Sequence, residues 1–260
     1  MIIRLGKYLE RFFVDTSEII LASILDSKEE KEAKMKRKKF YLQFLGSGDT
    51  YFDVGANYGN RIEPIIDEGI KIIAVEPQAK CAKYLAKKYK NRVTVIPCGL
   101  GERKETQTMY VSNAHTLTSF SEDWIKATKE SGRFSQSNWD QKQEVEMETL
   151  DNLIMKYGVP QFIKVDVEGY EFEVLKGLSQ PVKIISFEYT IPERKNSIFD
   201  CIDRLVKIGK SNSVYFNYSI GESMEWALDE WLSEEEMRKE IGTDRFMSSE
   251  FGDIYAKTII

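Results

Sequence analysis

Tyr51-Phe-Asp-Val-Gly-Ala-Asn-Tyr-Gly-Asn60 runs from a short apolar segment into a glycine-bearing turn, and Ile73-Ala-Val-Glu-Pro77 follows soon after. Residues 51–54 read as a buried strand, 55–59 as a tight turn, and 61–68 as a helix with apolar positions at Ile62, Ile65 and Ile66. Glycine at such a turn removes the Cβ that would block a nucleotide-like ligand. The acidic Glu76, at the tip of the next strand, suits the hydroxyls of a ribose. Dinucleotide sites use G-x-G-x-x-G to bring the backbone against a pyrophosphate. Here Ala56 and Asn57 follow Gly55 and the middle glycine is missing, which favours a smaller ligand without phosphate. S-adenosylmethionine is the best candidate.

Working outward, the composition bounds the class. With 260 residues and 42% hydrophobic content, the chain can build one large α/β core. A net charge of −5 argues against a general nucleic-acid binder, which needs a basic surface. Cys81, Cys98 and Cys201 are widely separated and form no C-x-x-C pair, so they read as thiols of a reducing compartment. The first 25 residues are broken up by Arg4, Lys7, Glu10, Arg11, Asp15 and Glu18. No transmembrane segment or signal-peptide pattern is read there, and the expected location is cytoplasmic.

Residues 1–48 read as an N-terminal helical extension. It has an apolar cluster at Ile19, Ile20, Leu21, Ile24 and Leu25, an N-cap with an acidic first turn at 27–30, and a basic run at 31–39. Such a run can meet an anionic membrane or nucleic acid, but a solvated helix face is the commoner outcome. Residues 49–260 read as one domain that alternates strand and helix. Further strands are expected at 71–75, 93–98, 162–167, 183–189 and 213–218, with helices at 79–89, 171–176 and 198–208. That order implies a parallel sheet with helices on both faces. Residues 253–257 would add a last strand, antiparallel at an edge.

An insertion at about 102–160 breaks the rhythm. Strand-like alternation at 107–112 and 144–148 flanks a polar stretch at 113–143, and excursions of this length usually act as lids or binding loops. It contains His115, the one histidine, a side chain suited to accept a hydroxyl proton near neutral pH and also a common loop residue. Phe120, Trp124, Phe134 and Trp139 offer a wall for stacking a sugar, although a small core of the insertion's own is the commoner use.

Five segments in order, F-D-V-G-A-N-Y-G at 52–59, A-V-E-P-Q at 74–78, V-I-P-C-G-L-G-E at 95–102, M-E-T-L-D-N-L-I at 147–154 and F-I-K-V-D-V-E-G-Y-E-F-E-V-L-K-G-L at 162–178, carry a resemblance. Together they resemble the FkbM-type methyltransferases over roughly residues 48–190. The resemblance implies a Rossmann-like class I fold: a seven-stranded, mostly parallel sheet with helices on both faces and a lid inserted between the third and fourth strands. It also implies S-adenosylmethionine as methyl donor and a hydroxyl of a sugar, glycan or secondary metabolite as acceptor. Residues beyond about 190 match no motif.

Within that frame, Asp53, Gly55, Ala56, Asn57 and Gly59 are expected at the methionine end of the cofactor. Glu76, followed by the strand-stopping Pro77, is expected at the ribose, and Cys98, Gly99 and Leu100 at the adenine. Period-two alternation sets Lys164, Asp166 and Glu168 on one side and Val165 and Val167 on the other. Asp166, also a candidate cofactor contact, and Glu168 then fall where the transferred methyl belongs, and Glu188 joins them from the next strand. The expected chemistry is direct methyl transfer to oxygen, with His115 or one of Asp166, Glu168 and Glu188 taking the proton. Three carboxylates without a histidine suit magnesium better than zinc, but an acidic pocket with no metal is the favoured reading. Two alternatives stand. The acidic balance weighs against a nucleic-acid methyltransferase, and the intact motifs weigh against a silent cofactor-binding module.

Overall fold

The computed structural model describes residues 28–209 and 213–260. The apolar cluster at Ile19 to Leu25 and the cap at Ser27 lie outside the described residues. Helix α1 (Lys28–Tyr41) leads into β1 (Thr50–Val54), β2 (Lys71–Val75), α2 (Ala79–Tyr89) and β3 (Val93–Ile96). The insertion supplies β4 (Gly99–Leu100), β5 (Glu105–Val111), α3 (Glu122–Ser131) and β6 (Gln141–Glu148). Then follow α4 (Leu150–Tyr157), β7 (Phe162–Val165), α5 (Glu171–Lys176), β8 (Ile184–Thr190) and α6 (Lys195–Gly209). Last come β9 (Val214–Ile220), α7 (Glu234–Ile241), α8 (Asp244–Met247) and β10 (Phe251–Thr258).

The main sheet has seven strands in the order β3-β2-β1-β7-β8-β10-β9, and β4, β6 and β5 form a second, three-stranded sheet. Neighbours from β3 to β8 pair in parallel, whereas β10 is antiparallel to both β8 and β9. This is the expected α/β architecture, with the insertion between the third and fourth strands. The last strand departs from expectation: β10 lies inside the sheet, and β9 takes the edge. Gly252 permits this, because a Cβ there would stand 2.1 Å from the Ser219 carbonyl oxygen.

Residues 61–68 also differ, forming successive turns where a helix was expected. The Ile62 and Ile65 amides donate to carbonyls three residues back. Pro64 has no amide to continue a helical ladder, and its ring crowds the turn before it. Ile62 and Ile65 are nevertheless fully buried, so their spacing served packing without a helix.

Alternation along the strands builds two unlike layers. Phe52, Val54, Ile163, Val165, Ile185 and Phe187 pack with Leu153, Val174, Ile202 and Met237 of α4 to α7. Tyr51, Ile72, Phe162 and Tyr255 face the other way, under Phe40, Tyr41 and Phe44, with Leu85 and Tyr89 of α2 in the same layer. Burying a large apolar side chain is worth about 1.5–3 kcal/mol. Surface ion pairs contribute only about 0–1 kcal/mol each, so the aromatic residues anchor α1. The basic run of α1, expected to be a solvated face, keeps Lys31, Lys36 and Lys39 exposed, and Lys34, Lys36, Arg37 and Lys38 pair with Glu63, Glu225, Glu222 and Glu68.

Candidate functional site

The turns after the parallel strands gather at one edge of the sheet. Gly55 and Gly59 have φ of +84° and +82°. A Cβ on Gly55 would stand 1.8 Å from the Asp166 carbonyl oxygen, and one on Gly59 would meet the Tyr89 ring. The missing Cβ atoms therefore make room for other parts of the protein, where the sequence suggested clearance for a ligand. Ala56 packs in the layer beneath α1.

Asn57 is left-handed at φ +49°, and its amide donates to Glu76 Oε2 at 2.7 Å. The Gln78 amide donates to Glu76 Oε1, also at 2.7 Å. Glu76 thus ties the turn after β1 to the turn after β2, and each oxygen keeps acceptor capacity. Burial pushes its carboxyl up to about 7, against the opposing pull of the two amides. Asp53, also buried, accepts from Tyr51 Oη at 2.9 Å through Oδ1, while Oδ2 is buried with no hydrogen-bond partner.

Gln78 Nε2 donates to the His115 carbonyl at 3.0 Å, and the His115 ring meets Tyr58 edge-on at 4.8 Å. The Pro77 carbonyl accepts from Gln143 Nε2 at 3.1 Å. His115 therefore stands with the turn residues around Glu76. Cys98 is half-buried, and burial pushes its thiol up to about 11. Gly99 and Leu100 form β4, which pairs with Met147 and Glu148 of β6, and the Leu100 side chain lies in the apolar core.

Asp166, Glu168 and Glu188 converge, each offering an oxygen within 4.8 Å of the others. Strand alternation does not bring Glu168 there. β7 ends at Val165, and Glu168 is left-handed at φ +54° in the turn that follows. The buried Glu171 holds that turn, accepting from the Val167 and Gly169 amides at 3.1 Å each. Ser119 Oγ donates to the Glu168 carbonyl at 2.6 Å. Burial first, then the Asp166 charge, raises Glu168 and Glu188 well above the ordinary carboxyl range. Such a cluster can take up a proton or present oxygens to a hard cation.

Four residues beyond the catalytic and cofactor candidates complete the site. Lys164 is fully buried, and its Nζ donates to Asp253 Oδ1 at 2.7 Å and to Asp166 Oδ2 at 3.1 Å. Burial alone would lower its pKa, but Asp166 and Asp253 more than offset that and raise it well above the usual value. Arg61 pairs with both oxygens of Glu222, at 2.5 and 2.7 Å, and lies 4.0 Å from Asp166. Glu222 also lies 3.5 Å from Arg37 of α1. A lysine inside the apolar run F-I-K-V and an aspartate inside G-D-I-Y-A were readable as buried charges in need of partners. Arg61 and Glu222 stand 161 residues apart and gave no such signal.

The insertion covers the carboxyl edge of the sheet. Besides the contacts of His115, Ser119 and Gln143, Arg133 Nη2 donates to the Ile191 carbonyl at 2.7 Å. Trp124 and Trp139 are buried with Leu117 and Ile125 in the insertion's own core, and Phe134 packs against it. Neither tryptophan is free to stack on a sugar. Phe120 lies apart from that core, beside Tyr170 at 5.4 Å.

Among the described residues, no helix is long and apolar enough to cross a membrane. A search of curated proteins returned no match. Among solved structures, the chain is similar to a precorrin-6y C5,15-methyltransferase from Geobacter metallireducens (8% identity, 90% of each chain covered, TM-score 0.44). It is also similar to a TehB-like SAM-dependent methyltransferase from Corynebacterium glutamicum (6% identity, 86% of this chain and 88% of that one, TM-score 0.45). A third is a plantazolicin methyltransferase in complex with SAH (11% identity, 95% and 91% covered, TM-score 0.43). The family model described as the methyltransferase FkbM domain matches residues 53–220, from Asp53 of β1 to the end of β9. The chain belongs to this family and is an S-adenosylmethionine-dependent methyltransferase.

Proposed function

We propose that the protein methylates a hydroxyl oxygen of a sugar, glycan or secondary metabolite. The observation that supports this reading most is the convergence of Asp166, Glu168 and Glu188 beneath the insertion. The residues present fit the donor. Glu76 keeps acceptor capacity for ribose hydroxyls, Asp53 has a buried oxygen without a partner, and the acidic surroundings suit a cation. When bound, the donor supplies a methyl group already activated on a sulfonium.

The chain's own work is then to hold the acceptor in line, keep water out and receive the hydroxyl proton. Glu168 and Glu188, with their raised proton affinity, are the bases favoured by Brønsted behaviour. Lys164 and Arg61 hold Asp166 from behind. His115, packed on Tyr58 and tied to Gln78, is better read as a wall on the ribose side than as the base. Three free cysteines support a reducing, cytoplasmic setting, and the net charge of −5 disfavours nucleic acid as acceptor.

Methyl-labelled S-adenosylmethionine incubated with glycan and metabolite fractions should place label on oxygen, identified by mass spectrometry of the products. Label on carbon, nitrogen or RNA would overturn the reading. Loss of turnover with a chelator, restored by magnesium, would assign the three carboxylates to a cation.

A further inference from the structure

Between the insertion and the turns after β7 and β8 lies a groove of about 430 Å³. Tyr110 and Phe120 line one side, Gly169 and Tyr170 another, and Arg194 a third, with Glu122 among the insertion residues. Gly169 and Tyr170 directly follow Glu168, and Ser119, next to Phe120, hydrogen-bonds the Glu168 carbonyl. The groove therefore adjoins the turn that carries one of the three clustered carboxylates.

Most polar groups in it already have partners. Tyr170 Oη donates to Gln107 Oε1 at 2.7 Å, Tyr110 Oη donates to Glu122, and Glu173 pairs with Lys176 at 2.6 Å. Arg194 differs from these: its Nε is buried without an acceptor, and its guanidinium enters no ion pair among the described residues. A buried donor left unpaired is costly, and the guanidinium fork matches a carboxylate or phosphate. Phe120 and Tyr170, 5.4 Å apart and tilted by 45°, are half-buried and offer the apolar surface that a pyranose ring can lie against.

We propose that this groove is an acceptor subsite for an anionic sugar, a pyranose bearing a carboxylate or phosphate. Arg194 pairs with the anion, and Phe120 and Tyr170 contact the ring. Glu122 and Asp123, exposed at the mouth, accept sugar hydroxyls. The assignment rests on the sugar O-methyltransferase reading and narrows it.

Calorimetry with glucuronate, glucose 1-phosphate and glucose, each in the presence of S-adenosylhomocysteine, tests it. At least one anionic sugar should bind about tenfold or more tightly than glucose, and comparison of the two identifies the preferred anion. Arg194→Gln should abolish that preference, and Tyr170→Leu should weaken every sugar that binds, with S-adenosylhomocysteine affinity unchanged in both variants as a check on folding. Equal binding of all three, no sugar binding, or a preference that survives Arg194→Gln overturns the subsite. Methyl transfer to a neutral sugar hydroxyl alongside any of those results leaves the O-methyltransferase reading standing. Arg194-dependent binding with label on a carbon or nitrogen would keep the subsite and discard that reading.

Discussion

Ile163 and Lys164 are chain neighbours, yet they lie in two different interiors. Ile163 packs in an apolar layer under α4 to α7. Lys164, equally inaccessible, joins Asp166 to Asp253 on the face covered by α1, among Tyr41, Tyr51 and Tyr255. The first layer derives its stability from the area that it removes from water. The second gains little from its ion pairs, because desolvation consumes most of the Coulombic attraction. What the second layer supplies is position. Lys164 and Arg61 both reach Asp166, and Arg61 continues through Glu222 to Arg37 on α1. One face of the sheet holds it together, and the other fixes a carboxylate at its edge.

Asp166→Asn should produce the largest effect. It keeps the shape but removes the charge, so turnover should fall by about 10²–10⁴ while S-adenosylhomocysteine still binds. Near-normal turnover would mean that the charged layer positions nothing the reaction uses. Next, Lys164→Met should destabilise the fold by about 3–5 kcal/mol in urea titrations, because Asp253 is left buried and unpaired. Adding Asp253→Asn should recover much of that loss, which a double-mutant cycle would quantify.

On the opposite face, Ile163→Val should cost only about 0.5–1.5 kcal/mol. A cost equal to that of Lys164→Met would erase the distinction between the layers. The smallest effect concerns pH. Burial raises Asp53 and Glu171 to about 6 and Glu76 to about 7. Over that window the folded chain holds protons that the unfolded chain has released, so its stability falls as pH rises through 6–7. The cofactor-free Tm should therefore be higher at pH 5.5 than at 7.5, by roughly 2–4 °C for each kcal/mol gained. Glu76→Gln should flatten the slope.

Local signals were read well. The helices at 79–89 and 171–176 and the strand at 71–75 were expected within the bounds that the structure gives them. Capping, periodicity and turn chemistry all act within a few residues, so a local pattern suffices. Pro64 was an available warning against a helix at 61–68, outweighed by the spacing of three isoleucines. For the aromatic residues of the insertion, the commoner reading of a small core holds at Trp124, Phe134 and Trp139. Trp124 and Trp139 look the same in a sequence whether they face a ligand or each other, and here they meet edge-on at 6.2 Å.

Taken by itself, the sequence determined the strand-helix alternation, the two glycine turns and the carboxylates at the strand ends, because each depends on residues close together in the chain. Only the tertiary structure decided that β10 enters the sheet interior, that Glu168 reaches its partners through a left-handed turn, and that α1 closes one face. It also chose the partners of the buried charges: Asp253 for Lys164, across 89 residues, and Glu222 for Arg61, across 161. A buried charge announces that it needs a partner, but packing in three dimensions selects which one it gets.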